Sequence, residues 1–271
     1  MDPTARRMTW RRVRLLLPVA AVFVVIAVGW LVAPDVHGQG SGIPFAQPSA
    51  QHWLGTDSRS EDVLAKLAQG GWVLALVAAL IAVVVTGLAS MLGALVALRP
   101  RLAWPLAWLA DAMLLVPPVL LILLVLVSWP SGGVWALVAL AVVGGTPYTT
   151  RVMSAAASPI AASGYVQVAD ASGERLPYLI FGQVLPNMGQ TVATQLGLRY
   201  VEAIYVVSTA AFLQLIPSVG SANWAVMVRE NAAGLLLNPA AVVAPAAAIA
   251  VLAVVVNVTA LGSSSPLGDR S

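Results

Sequence analysis

From Gly71 to Leu98 the chain carries no charged residue and very few polar ones. At about 1.5 Å per residue, a helix of that length exceeds the ~30 Å hydrocarbon core of a bilayer. The composition points the same way. The 271 residues are 59% hydrophobic and only 9% charged, whereas a soluble domain carries about 25% charged residues. Burying that much apolar surface in water is implausible, so the chain reads as an all-α polytopic membrane protein. It has no cysteine, which excludes a disulfide framework and a thiolate metal site. The net charge of +3 comes from thinly spread basic residues, so no nucleic-acid partner is expected.

Apolar runs and their punctuation predict about six transmembrane helices. Residues 1–14 form a basic, cytoplasmic N-terminus with Arg6, Arg7, Arg11, Arg12 and Arg14. Residues 15–33 are the first transmembrane helix, too long for a signal-peptide core. The arginine excess keeps the N-terminus inside. Residues 34–70, rich in Pro and Gly, read as an extracytoplasmic loop with a surface helix, in which Val63, Leu64 and Leu67 make one apolar face. Residues 71–262 supply a five-helix core. Its spans are Gly71–Leu98, Trp104–Ser128 with a kink at Pro117-Pro118, Val134 to about Thr149 broken by Gly144-Gly145 and Pro147, Met188–Ile216 and Ala240–Leu261. Arg99-Pro100-Arg101 is a basic inner turn, Pro217–Pro239 an outer loop, and residues 263–271 a cytoplasmic tail.

Residues 164–187, GYVQVADASGERLPYLIFGQVLPN, interrupt the apolar runs. Gly173 is placed to stop one short helix, Pro177 to open a second, and Pro186 to end it. Leu176, Leu179, Ile180 and Val184 recur at helical spacing. That stripe calls for a partner, read as another protein.

This stretch resembles the cytoplasmic coupling loop of ATP-binding-cassette importer permeases, which runs Glu-Ala-Ala, then Gly, then Ile-x-Leu-Pro. Gln167, Val168 and Ala169 stand for Glu-Ala-Ala, Gly173 is in register, and Leu185-Pro186 closes the pattern. Gln167 lacks the carboxylate, and Gln183 replaces the usual apolar or basic residue. Residues His52 to Asp57, followed by Ser60-Glu61-Asp62-Val63-Leu64, resemble the HPLGTD…GRDVL segment of the dipeptide, oligopeptide and nickel subgroup. Trp53 replaces its Pro and Ser60 its Gly. Phe212 to Leu215 with Ser221 to Trp224 resembles the FLGLG…PSWG segment.

The resemblance implies a type I importer-like fold and a second-permease role in a prokaryotic cytoplasmic membrane, with both termini cytoplasmic. It implies a sister permease in a heterodimer, two cytoplasmic ATPase subunits, an extracytoplasmic solute-binding protein and surrounding membrane lipid. ATPase coupling would fall to Gln167, Val168, Ala169, Gly173, Leu176, Leu179, Ile180, Leu185 and Pro186. Di- or oligopeptides are the implied solute, with nickel or a metal chelate as the alternative. ATP and Mg2+ would be held by the ATPase partners, and no cofactor by this chain.

The residues themselves offer little bond chemistry. There is no Gly-x-x-x-x-Gly-Lys-Ser/Thr stretch for a nucleotide and no His-Glu-x-x-His for zinc. His52, Asp57, Glu61 and Asp62 are a possible metal group on composition alone, but capping and solvation account for them. A membrane-embedded enzyme or a scaffold without ATPases is the alternative of another class. Arg199 and Glu202 are the exception inside a span. Three residues apart, they share one helix face. A charge at mid-bilayer costs ~2.5–3.5 kcal/mol, so both should face protein or a watery path. A local ion pair and a pathway role are equally open.

Overall fold

The computed structural model describes residues 20–31, 42–216 and 222–264. The basic N-terminus, His37, the 217–221 segment and the end of the tail lie outside the described residues. Among those described the chain is helical, with one isolated antiparallel bridge between Thr56 and Asp62.

The described part of the first predicted span is α1, Ala20–Leu31. It lies against the bundle through Phe23 on Tyr200 (6.4 Å between ring centroids) and Trp30 on Trp72 (5.5 Å). Helix α2 runs unbroken from Val63 to Leu98. Asp62 caps it, accepting a hydrogen bond from the Ala65 amide at 2.9 Å, and Pro100 ends it by disfavouring helical backbone at Arg99. Val63, Leu64 and Leu67 are therefore the first turns of α2 and not a separate surface helix. At 36 residues the helix is about 54 Å long, which spans a bilayer and leaves several turns outside.

The predicted third span is two helices, α3 (Ala103–Leu114) and α4 (Pro118–Ser128). They meet at 91°, an elbow far sharper than a proline kink. Helix α5 (Gly133–Ala161) is longer than expected and passes straight through Gly144, Gly145 and Pro147. The Thr149 and Thr150 hydroxyls bond the carbonyls of Gly145 and Thr146 at 2.8 and 2.7 Å beside the missing proline N–H. Then come α6 (Gly164–Ala171), the single turn α7 (Leu176–Tyr178) and α8 (Gly189–Phe212). Between α7 and α8 the backbone stays helical, as a π turn at Leu179–Val184 and a 3-10 turn at Leu185–Met188. Pro186 shifts the helical register there and does not end the helix. The outer loop holds α9 (Trp224–Asn231), and α10 (Ala240–Ser264) closes the chain.

Among the described residues, three helices are long and apolar enough to cross a membrane, and the bent α3–α4 pair would make a fourth. Helix α8 is less apolar because Gln195, Arg199 and Glu202 lie on it, and Gln195 and most of Arg199 are turned into the bundle. The core joins α2, α4, α5, α8 and α10 through residues such as Leu74, Ile81, Ile122, Leu137, Ile204 and Leu252. Trp104 and Trp108 near one end of the bundle, and Trp129 and Trp135 near the other, are exposed, as membrane-interface tryptophans are.

Candidate functional site

The two ends of α2 carry the features that matter. At its outer end, residues 42–62 fold back on α9 and the start of α10. Asp57, buried, accepts from the amides of Arg59 and Glu61 at 2.8 and 2.9 Å. Lys66, also buried, pairs with both Asp57 and Glu61. His52 bonds the capping residue Asp62 at 2.7 Å. Asn231 receives the Ser58 amide at 2.9 Å, and Asn238 donates to the carbonyls of Leu54 and Thr56 at 3.0 Å. Thus His52, Asp57, Glu61 and Asp62 are occupied as caps and ion-pair partners. No group of three or more His, Cys, Asp or Glu among the described residues is placed to hold a metal ion.

Helix α9 meets α2 at Gly70-Gly71. A Cβ at Gly70 would stand 1.5 Å from the Ala222 carbonyl oxygen, and one at Gly71 would strike the Trp224 ring. Trp224 donates its indole N–H to the Leu67 carbonyl at 2.7 Å. Ser60, which stands in the place of a glycine, has a φ of 63°. The left-handed backbone at this position explains the glycine of the pattern.

At the inner end lie α6 and the helical turns after it. Gly173, at φ 83°, closes α6 in a Schellman motif. Its own N–H bonds the Asp170 carbonyl at 3.1 Å and the Glu174 N–H bonds the Ala169 carbonyl at 3.2 Å. A Cβ at Gly173 would meet nothing within 4 Å, so glycine is needed here for its backbone alone.

The apolar stripe does not await a partner. Leu179 and Val184 are fully buried within this chain. Val184 and Met188, with Ile180 and Leu185 beside them, pack on Ala89 and Ala94 of α2 and Met153 and Ala157 of α5. Leu176 and Ala169 are half-buried, Gln167 and Pro186 exposed. The apolar side chains left outward are others: Val168 (67% exposed), Phe181 (54%), Tyr165 and Tyr178. Of the sequence-predicted coupling residues, then, Leu179 and Ile180 are anchors, whereas Val168 is free. Tyr165, Tyr178 and Phe181 were missed, because periodicity shows that a stripe exists without saying which side of the helix is covered.

A second missed feature is a bidentate ion pair. The Arg99 guanidinium, at the end of α2, donates to Asp170 of α6 at 2.9 and 3.1 Å. These hydrogen bonds hold the Asp170 carboxyl below its usual range, and the same contact raises Arg99. Arg151 and Asp111 pair at 2.7 Å between α5 and α3.

Between the two ends, Arg199 and Glu202 form an ion pair on α8. The Arg199 guanidinium lies 5.9 Å from the centre of the Tyr148 ring. All three side chains line a cavity of about 160 Å3 at the α3–α4 elbow.

Several apolar helices, a broken span and a short helical element at one end of the bundle define a multi-pass membrane protein. Residues 89–261 match the family of binding-protein-dependent transport system inner membrane components, and the chain belongs to that family. The family has the fold of type I ATP-binding-cassette importer permeases. The chain is 31% identical over 182 residues to a peptide permease protein of Brucella abortus. That match takes in 67% of this chain and 60% of the relative, so less than two thirds of the relative's length is covered. It is 25% identical over 229 residues to the oligopeptide transport system permease protein OppC of Mycobacterium tuberculosis, covering 83% and 78% of the two chains. A peptide ABC transporter permease protein of Sinorhizobium fredii is 24% identical over 225 residues, with 83% and 77% covered.

Proposed function

We propose that this chain is a transmembrane permease subunit of an ATP-driven importer and forms half of the path for di- or oligopeptides. The observation that carries the reading is the element at 164–188. It is anchored to α2 and α5 by Ile180, Val184 and Met188 and still presents Val168, Tyr178 and Phe181 outward. Exposed apolar side chains on a short helical element suit insertion into a groove of another protein, and the chain has no phosphate-binding loop of its own. The ATPase pair would bind ATP and Mg2+ and move this element. A sister permease would complete the path, and a solute-binding protein would deliver peptide to the outer end. No bond chemistry falls to this chain. Peptide is favoured over nickel or a metal chelate by the names of the relatives, and with the 164–188 element facing the ATPases the N- and C-termini would lie in the cytoplasm.

The test is ATP hydrolysis by the reconstituted complex, with and without loaded binding protein. Val168→Glu and Phe181→Glu should insert normally, fail to retain the ATPase subunits in a pull-down, and lose solute stimulation. Wild-type stimulation in both variants would remove the coupling role of this element. Orientation is read separately in this cysteine-free chain. Trp53→Cys should react with an impermeant thiol reagent in intact cells, and Val168→Cys only after the membrane is opened.

A further inference from the structure

The cavity at the α3–α4 elbow is apolar on every side except at Tyr148, Arg199 and Glu202. Two glycines help to keep it open. A methyl group at Gly144 would lie 4.0 Å from Leu121, and one at Gly145 3.4 Å from Val85 and 3.9 Å from Arg199 Nη1, all ordinary contacts. Unlike Gly70, these glycines are not demanded by a close helix crossing. The elbow itself, at Leu115 to Pro117, leaves the helical hydrogen-bond ladder. Irregular backbone at membrane depth is tolerated where it faces protein or a water-filled space.

The ion pair uses only part of what its members offer. A guanidinium has five N–H donors and a carboxylate about four acceptor sites, and the pair is joined through Nη1 and Oε2. Arg199 Nε is buried with no acceptor among the described residues. The Glu202 side chain is 46% exposed. Donors and acceptors therefore stand side by side in an apolar chamber, with the guanidinium set against Tyr148.

We infer that this cavity is a contact site for the main chain of a transported peptide, with Arg199 donating to a carbonyl or terminal carboxylate and Glu202 accepting from an amide or terminal ammonium. A peptide carries such donors and acceptors next to each other. A lipid chain offers the guanidinium no acceptor, and a bare divalent cation would be repelled by the arginine. Apolar walls with main-chain contacts accept many side chains, which suits a carrier of varied short peptides. The inference rests on the import reading.

The test uses the complete complex in vesicles, with trialanine as probe. Ala141→Cys, on the cavity wall, should be labelled by a small permeant thiol reagent. Trialanine should slow that labelling during ATP turnover about threefold or more, and trialanine methylated at its peptide nitrogens should not, since hydrogen bonds to charged groups carry the recognition. Gly144→Leu fills the cavity. It should lower trialanine uptake about tenfold, the cost of roughly one such bond, and still recover its ATPase subunits in a pull-down. Gly87→Leu, at a position open to space, should import as wild type. No protection in vesicles that import trialanine overturns the site and leaves the import reading intact, as does wild-type uptake by Gly144→Leu. So does a bound lipid lost from Gly144→Leu without a change in uptake. Vesicles of the wild-type complex that never import trialanine overturn the import reading, and this site with it.

Discussion

The outer and inner ends of α2 are secured by different physics. At the outer end, buried polar groups interlock: Lys66 between Asp57 and Glu61, Asn231 on the Ser58 amide, Asn238 on two carbonyls, and α9 seated on Gly70-Gly71. Each loses a partner if its neighbour moves, so the cap has one good arrangement. At the inner end, the element at 164–188 is held by an apolar anchor and one partly exposed ion pair, Arg99–Asp170. Apolar contacts are non-directional and exposed pairs add little. The outer end suits a fixed platform, and the inner end an element that shifts as a unit.

The sharpest way to break that comparison is Lys66→Met. It leaves Asp57 and Glu61 buried without their cation, which should cost about 3–5 kcal/mol. Thermal unfolding in detergent should show a much lower midpoint, and an unchanged one would mean that the outer cap is not interlocked. Gly70→Ala comes next. Its methyl collides with the Ala222 carbonyl, so α9 must move, at about 1–3 kcal/mol for such overpacking. Faster proteolysis of the outer loop would report it.

Gly173→Val adds a Cβ with nothing within 4 Å, yet places a branched residue in left-handed backbone at a cost of about 1–2 kcal/mol. The expected result is an unfolding midpoint lowered far less than in Lys66→Met, with loss of solute-stimulated ATP hydrolysis. Equal loss of both would make the inner end as structural as the outer. Ser60→Gly runs the same argument in reverse. Relieving φ 63° should stabilise the outer cap by up to about 1 kcal/mol, read as a higher unfolding midpoint.

The smallest effect concerns pH. Arg99 lowers the Asp170 pKa in the folded chain from its ordinary 3.8. The stability from this contact is therefore full above the unfolded-state value and is lost as pH falls through the lower folded-state value. Hydrogen-exchange protection of the α6 amides, corrected for the intrinsic pH dependence of exchange, should fall in that acid window. In Asp170→Asn it should be lower already at neutral pH and lack the acid transition.

Much of the fold was legible because it is local. Apolar runs without charge mark spans, since a bilayer leaves no other solution, and the family match is consistent with that reading. Gly173 was legible as a helix stop because a positive φ is a property of one residue. Gly144-Gly145, by contrast, suggested a break and proved to lie within one continuous helix, for a glycine permits a turn without forcing it.

The sequence by itself determined that this chain is a helical membrane protein with a short helical interruption before its last spans. Hydrophobicity and backbone conformational preference are written residue by residue. Only the tertiary structure decided which face of 176–184 is covered, since one stripe serves an internal core or an external partner equally well. It also decided that Arg99 finds Asp170, 71 positions away, that the α3–α4 elbow turns through 91°, and that Pro186 shifts a helix without ending it. A proline removes a single N–H, and what the backbone does about that loss depends on which neighbours pack around it.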